Sequence, residues 1–254
     1  MTGFRLDGRT ALVTGASRGI GRAIALAFAD AGADVALLAR DESALGEVAA
    51  AVEGLGRRAA VAVCDVTDAD AVSAAVAAST ERLGPIDVLV NNAGGNSFAR
   101  PFAGMRFSGW ERTLRLNLDS VVHVTQAVIP QMIERRTGSV INLSSVAGLR
   151  GAPTMSHYGA AKAAVISLTQ SLSTESAWAG VRVNALVPGW IETDLTGFLR
   201  DDEGTEKGLL ATVPMARWGT VEEIAAPAVF LASDASSFMT GHVLVVDGGL
   251  SAMP

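Results

Sequence analysis

The sequence predicts a single doubly wound α/β domain, a parallel sheet with helices on both faces. Three observations predict it. Seven short apolar runs alternate with helical patterns from end to end, and the runs lack the polar alternation of a half-exposed strand. A glycine-rich turn also joins the first run to the first helix. The 254 residues suffice for one large core, and a composition 49% hydrophobic but only 5% aromatic suits helices packed closely on a sheet. No repeat, low-complexity tract or linker divides the chain, so one domain is expected over residues 1–254.

In order, the predicted strands are TALVT (10–14), DVALLA (34–39), AAVAVCD (59–65), IDVLVN (86–91), GSVINLS (138–144), VRVNALV (181–187) and HVLVVD (242–247). Ile20, Ala23, Ile24, Ala27 and Phe28 form one helical apolar stripe; Val72, Ala75 and Val76 continue another. Capping boxes at Ser108–Glu111 and Thr220–Glu223 predict two helix starts. The polar, glycine-containing stretch DLTGFLRDDEGTEKGLLAT (194–212) breaks the rhythm and follows a strand end, so the segment from about 190 to 212 reads as an active-site lid.

After the first strand comes TGASRGIG (14–21), in which Gly15, Gly19 and Gly21 permit a tight turn and close approach of backbone to a pyrophosphate at a helix N-terminus. An acid at the tip of the second strand would hold a ribose 2′-hydroxyl. Counting along the chain reaches Asp41, but the strand ends at Ala39 and Asp41 reads as the N-cap of the next helix. Arg40 follows the strand tip and Arg18 lies in the glycine loop, so two cations favour a 2′-phosphate: NADP is expected ahead of NAD.

Tyr158 is the only tyrosine, and Lys162, one of two lysines, stands four residues later. On a helix this spacing places phenol and ammonium on one face. A free phenol has a pKa of about 10, and an adjacent cation favours its ionised form. The pair therefore reads as a tuned proton donor and acceptor.

With this glycine loop, NNAG at 91–94, a serine upstream and Tyr158-x-x-x-Lys162, the whole chain resembles the short-chain dehydrogenase/reductase family. The resemblance implies a Rossmann domain with a seven-stranded parallel sheet. It implies that Tyr158 is the general acid or base, that Lys162 lowers the phenol's pKa and holds the nicotinamide ribose, and that Ser145, thirteen residues before Tyr158, orients substrate. It also implies that Asn117 supports a water relay to Lys162. The cofactor positions it implies are Gly15, Ser17, Arg18, Gly19, Ile20, Gly21 and Arg40; Asp65 and Val66 at the adenine; Asn91, Ala93 and Gly94; and Pro188, Gly189, Ile191 and Thr193 at the nicotinamide amide. Relatives form tetramers through two long helices, here about 108–133 and 156–179, and the last strand, so a homotetramer or dimer is expected.

The remaining chemistry-bearing residues have plainer readings. His123, His157 and His242 lack ligand spacing and are expected to be non-catalytic, with His157 pointing away from the tyrosine face. Cys64 reads as a buried small hydrophobe, and Arg57–Arg58 and Arg135–Arg136 as solvated helix ends. Reductases of carrier-protein thioesters in the family present arginines near 135–136, with a second near the end of the catalytic helix, where this chain has Ala179. A net charge of −6 argues against nucleic-acid or anionic-membrane partners, and one cysteine excludes an intrachain disulfide; no metal is expected. Without an apolar signal core or span, the expected location is the cytoplasm.

The expected activity is NADP-dependent interconversion of a ketone and a secondary alcohol. The expected pocket walls are Gly95, Asn96, Leu149, Met155, Trp190, Phe198 and Leu199. The alternatives are a 3-oxoacyl thioester reductase, an NAD-dependent sugar or polyol dehydrogenase, and a non-catalytic dinucleotide sensor.

Overall fold

A computed structural model of the chain describes residues 3–252. Its sheet has seven strands, all parallel, in the order β3-β2-β1-β4-β5-β6-β7. The strands are β1 (Thr10–Thr14), β2 (Asp34–Ala39), β3 (Ala59–Val63), β4 (Val88–Asn91), β5 (Gly138–Leu143), β6 (Val181–Pro188) and β7 (Val243–Val246). They fall where the apolar runs predict. β3 stops two residues early because Asp65 turns the chain, its carboxylate accepting from the main-chain N–H and hydroxyl of Thr67.

Helices α1 (Gly19–Asp30), α2 (Glu42–Gly54) and α3 (Ala69–Leu83) link the first strands. Next come α4 (Phe107–Leu114), α5 (Ser120–Arg135), α6 (Ser156–Ser176), α7 (Gly197–Arg200), α8 (Glu203–Leu210) and α9 (Glu222–Ala232). Alternate strand residues feed two cores. Ala11, Val13, Val35 and Leu37 pack with α1, α2 and α9; Leu12, Ala36, Leu38 and Leu89 pack with α3 and α5. A sheet buried on both faces needs apolar residues at both parities, which is why the strands read as unbroken apolar runs.

Two helix starts behave differently from each other. Asp41 caps α2 through Ala44 N, and Thr220 and Glu223 bond reciprocally ahead of α9. The box expected at Ser108 does not form: α4 begins one residue earlier, after an extended Arg106 that supplies no side-chain acceptor. The 194–212 segment, read from sequence as an active-site lid, is mostly helical, with α8 capped by Asp202 through Thr205 N at 2.8 Å.

Arg58 and Arg136 are exposed, as the solvated reading expects, but Arg57 and Arg135 are partly buried, and Arg57, Arg58 and Arg135 are ion-paired. Arg57 and Arg58 converge on Asp34 at 3.0 and 2.8 Å, and Arg135 reaches Asp87 at 2.6 Å and the Ile86 carbonyl. Each spans two elements of the fold, so cross-element carboxylates decide their environment, and these are invisible to local pattern. Arg136 lies over the Trp178 ring and donates to the Trp178 carbonyl. Cys64 is buried, as read. Among the described residues no cluster could hold a metal ion, and no helix is long and apolar enough to cross a membrane.

The strand order reverses beside β1, whose neighbours are β2 and β4. The crevice beyond the carboxyl ends of these strands is where such a sheet takes its ligand.

Candidate active site

The crevice floor is a backbone cradle. Gly15 and Gly19 have φ of +63° and +55°, conformations that L side chains rarely adopt. A Cβ on Gly21 would stand 2.2 Å from the Gly15 carbonyl oxygen, and one on Gly15 would stand 2.8 Å from Asn92 Nδ2. Gly15 and Gly21 must be bare for the turn to pack against the end of β4, whereas Gly19 is needed for its left-handed φ. Thr14 and Asn92, which sequence reasoning passed over, fasten that contact. Thr14 Oγ1 accepts from Asn92 N and Ala93 N, both at 2.9 Å, while Asn92 Nδ2 donates to the carbonyls of Thr14 and Gly15. The doubled asparagine of NNAG was the available signal.

This cradle fits a dinucleotide. The first turn of α1 has no side-chain cap and no acidic residue, which leaves its N–H groups to an anion. Arg18 and Arg40 are exposed, and neither is ion-paired among the described residues. Hydrogen bonds from Thr67 hold the Asp65 carboxyl below the usual carboxylate range, and Arg40 adds to this from nearby. Val66 is buried beside it. Across the cleft, a Cβ on Gly19 would meet Thr193 Cγ2 at 3.6 Å, so the glycine loop faces the segment that follows β6. Pro188 ends β6; Gly189 donates to the Val246 carbonyl; Ile191 is buried and bridges to Gly219. Ile20 packs on the core, and Ser17 is partly buried in the loop.

Asn91 does not present its side chain to the cleft. It is buried, and Nδ2 donates to Thr125 Oγ1 at 2.9 Å and Asn142 Oδ1 at 2.8 Å, tying β4 to β5 and α5. Only its main chain borders the crevice.

The reactive cluster stands at the end of β5. Ser144 and Ser145 end that strand with opposite fates. Ser144 is buried and donates to the Lys162 carbonyl at 2.8 Å; Ser145 faces the Tyr158 phenol. Two glycines allow the closeness. A Cβ on Gly148 would lie 2.7 Å from the Lys162 carbonyl carbon, and one on Gly159 would lie 2.9 Å from the Ala147 carbonyl oxygen. The 146–148 turn therefore rides directly on α6.

Tyr158 and Lys162 lie one turn apart near the start of α6, as their spacing predicts. The electrostatics differ from expectation. The ammonium sits 5.8 Å from the phenol ring centroid and donates to the Leu143 carbonyl at 2.8 Å, so it does not pair with the hydroxyl. Burial pushes the Tyr158 phenol up, with the Ser145 hydroxyl opposing this, and pushes Lys162 down to about 8. In this state the phenol stays protonated at neutral pH. The expected lowering of its pKa by the lysine is not found.

Asn117 lies in a π-helical turn (Arg115–Asp119) between α4 and α5, a local widening of the kind found at functional sites. It is fully buried, accepts from Gly95 N and donates to Gly95 O, both at 2.9 Å, and also donates to the Thr113 carbonyl. A Cβ on Gly94 would stand 2.7 Å from Asn117 Oδ1 and 3.3 Å from Lys162 Nζ. Gly94 thus joins cradle and reactive cluster because it is bare.

Of the expected walls, Gly95 and Asn96 flank this junction, Leu149 is exposed, and Trp190 meets Trp218 edge-on at 6.1 Å. Trp218 Nε1 donates to Glu206, which ties α8 to that wall. The Phe198 side chain lies outside the described residues. A cavity of about 340 Å³ opens behind Trp190, against Ile191, Met215 and Gly248, and does not reach Tyr158.

The family model described as enoyl-(acyl carrier protein) reductase matches residues 15–251. The chain is 45% identical to a 3-oxoacyl-(acyl-carrier-protein) reductase FabG of Chlamydia trachomatis, covering 99% of this chain and 100% of the relative. It is 42% identical to a gluconate 5-dehydrogenase of Gluconobacter oxydans, covering 98% and 96%. The crystal structure of a gluconate 5-dehydrogenase from Burkholderia cenocepacia in complex with NADP and tartrate superposes with a TM-score of 0.94, at 41% identity over 99% and 98% of the two chains. With cradle, serine, tyrosine and lysine in one cleft and likeness along nearly its whole length, the chain belongs to the short-chain dehydrogenase/reductase family of oxidoreductases.

Proposed function

We propose that the protein is an NADP-dependent, carbonyl reductase-like enzyme that interconverts a ketone and a secondary alcohol. The observation that carries this is the convergence of Ser145 and Tyr158 above a buried Lys162, at the open end of a glycine cradle. A bound nicotinamide supplies or accepts the hydride. The chain's own groups handle the oxygen. Ser145 donates a hydrogen bond to the substrate carbonyl oxygen, and Tyr158 gives it a proton as negative charge builds there. Lys162 provides fixed positive charge beneath the phenol, and Asn117 holds the Gly94–Gly95 corner against that ammonium. A phenol that stays protonated at neutral pH suits the direction of reduction.

The cofactor is held by the bare backbone of Gly15, Gly19, Gly21, Ala93 and Gly94, with Ser17 and Ile20 in the same loop. Asp65, Val66 and the main chain of Asn91 border the adenosine, and Pro188, Gly189, Ile191 and Thr193 the nicotinamide. Arg18 and Arg40 choose NADP over NAD, and the NADP complex of the Burkholderia relative supports that choice. A second reading, a keto sugar acid as substrate, is supported by the gluconate 5-dehydrogenase relatives. The carrier-protein reading is weaker, because Arg135 is spent on Asp87 and Ala179 is buried.

NADPH oxidation followed at 340 nm with ethyl acetoacetate, 5-keto-D-gluconate and a set of aliphatic and cyclic ketones tests the reading. Turnover is expected; nucleotide binding without turnover on any of them indicates a sensor and overturns it. Arg40→Ala is expected to weaken NADPH binding by about 10-fold, a charge-assisted hydrogen bond's worth, and to leave NADH unchanged. Equal effects on both coenzymes would remove Arg40 from the 2′-phosphate.

The enzyme is further proposed to work in the cytoplasm as a homotetramer, through α4–α5, α6 and the last strand. Phe107 at the start of α4, Phe102 just ahead of it and Trp178 just beyond α6 are exposed large hydrophobic residues, consistent with coverage by other copies. Light scattering should give a tetramer or dimer mass; a monomer would contradict it.

A further inference from the structure

His157 precedes the reactive tyrosine, and the proposed chemistry gives it no part. It is nonetheless fully buried and makes specific contacts. Its Nε2 lies 3.0 Å from Asn96 Oδ1, and its ring stacks on Phe98 with centroids 4.1 Å apart and planes 10° apart. Phe98 is in turn wedged against α4, where a Cβ on Gly109 would stand 2.9 Å from Phe98 Cζ. Asn96 and Phe98 belong to the strand-free segment that leaves Gly94, whose next residue, Gly95, is bonded to Asn117.

That segment is pinned elsewhere by Gly95 on Asn117 and by Arg100 N on the Thr154 carbonyl at 2.7 Å. Between these pins no backbone hydrogen bond among the described residues fixes residues 96–99. Among the described residues, the imidazole is the one side chain of α6 hydrogen-bonded to this stretch, one residue from Tyr158.

We propose that His157 is a positioning residue for substrate: by donating to Asn96 and stacking on Phe98 it sets the wall of the pocket opposite Tyr158. Burial pushes the imidazole's pKa down, against a smaller opposing effect from the Phe98 main chain, so the ring is neutral. A neutral ring has one N–H, and the carbonyl oxygen of Asn96 requires it at Nε2. Nδ1 is left buried without a hydrogen-bond partner among the described residues. The site keeps a polar ring where a phenyl would fill the volume, which fits a role in directing Asn96 rather than in packing alone.

The inference rests on the oxidoreductase reading above and deepens it. His157→Phe keeps the stacking face and removes the donor; Asn96→Ala removes the acceptor and leaves α6 untouched. With NADPH and the ketone of the panel that wild type reduces fastest, each variant is expected to raise KM about 10-fold. Their kcat should stay within about 2-fold, and the thermal shift produced by NADPH should be unchanged. The double variant should be no worse than either single one, because both break one bond. If His157→Phe does not fold, Asn96→Ala reads the same bond from the loop side. Unchanged KM in Asn96→Ala, additive effects in the double variant, or loss of kcat and NADPH binding in step with KM overturns the inference. Failure of the underlying reading looks different: wild type and Tyr158→Phe would then be equally active, or equally inert, towards the panel, and the proposal for His157 would fall with it.

Discussion

Tyr158→Phe is expected to lower kcat for ketone reduction by about 10³-fold while leaving NADPH binding and thermal stability close to wild type. The substitution removes one oxygen. That oxygen is the only acidic hydroxyl in the reactive cluster, because the Ser145 hydroxyl can share a hydrogen bond but cannot give up its proton at neutral pH. General acid catalysis by a positioned group is worth about 10²–10⁴-fold. Losing a partly buried hydroxyl and its contact with Ser145 costs only about 1 kcal/mol of stability, so fold and mechanism separate cleanly. The raised phenol pKa adds a directional test. Reduction needs the protonated form, which dominates through neutral pH, so the Tyr158-dependent rate should be flat from pH 6 to 7, before Lys162 begins to lose its proton. Alcohol oxidation needs the phenolate and should rise with pH across that range. Steady-state kinetics in both directions, with calorimetry on the variant, check this. A variant retaining full kcat would remove Tyr158 from proton transfer.

The seven strands and the cleft at β1 and β4 were legible because buried parallel strands have a local signature and because glycine is the one residue that tolerates the turn after β1. The reactive residues were legible for a different reason, since Tyr158 and Lys162 are rare in this chain and four apart. What could not be read depends on distant partners. Asn91 looked like a cleft residue until Asn142 and Thr125, from β5 and α5, claimed its amide. Arg57 and Arg135 looked solvated until Asp34 and Asp87 appeared beside them. The π-helical turn at Asn117 has no one-dimensional pattern, and the amide it carries bonds both Gly95, distant in the chain, and Thr113. Nor does the spacing of Tyr158 and Lys162 say toward which atom the ammonium points, and the Leu143 carbonyl takes it.

Lys162→Met should separate stability from function still more sharply. The ammonium is buried, and burial lowers its pKa from 10.5 to about 8, so at neutral pH the folded chain keeps a charge that costs more there than in the unfolded chain. The shift corresponds to a penalty on the order of 3 kcal/mol in the folded protein. Methionine has a similar length, fits an apolar slot and carries no such penalty, although it leaves the Leu143 carbonyl without a donor at a cost of about 1–3 kcal/mol. The variant's Tm at pH 7 should therefore be no lower than that of wild type. The sign with pH is fixed. Between pH 8 and 10.5 the unfolded chain holds the proton and the folded chain does not, so the wild-type penalty fades as pH rises and any advantage of methionine shrinks. Activity should move the other way, with kcat/KM falling about 10²–10³-fold through loss of the charge beneath the phenol. Wild-type kcat/KM for reduction should likewise decline above about pH 8, where the free protein's ammonium loses its proton. Thermal unfolding at pH 7 and 10, together with a pH–rate profile, reads all of these. A methionine variant that is much less stable at pH 7, or one that still reduces ketones at the wild-type rate, would show that the buried charge serves the fold and not the reaction.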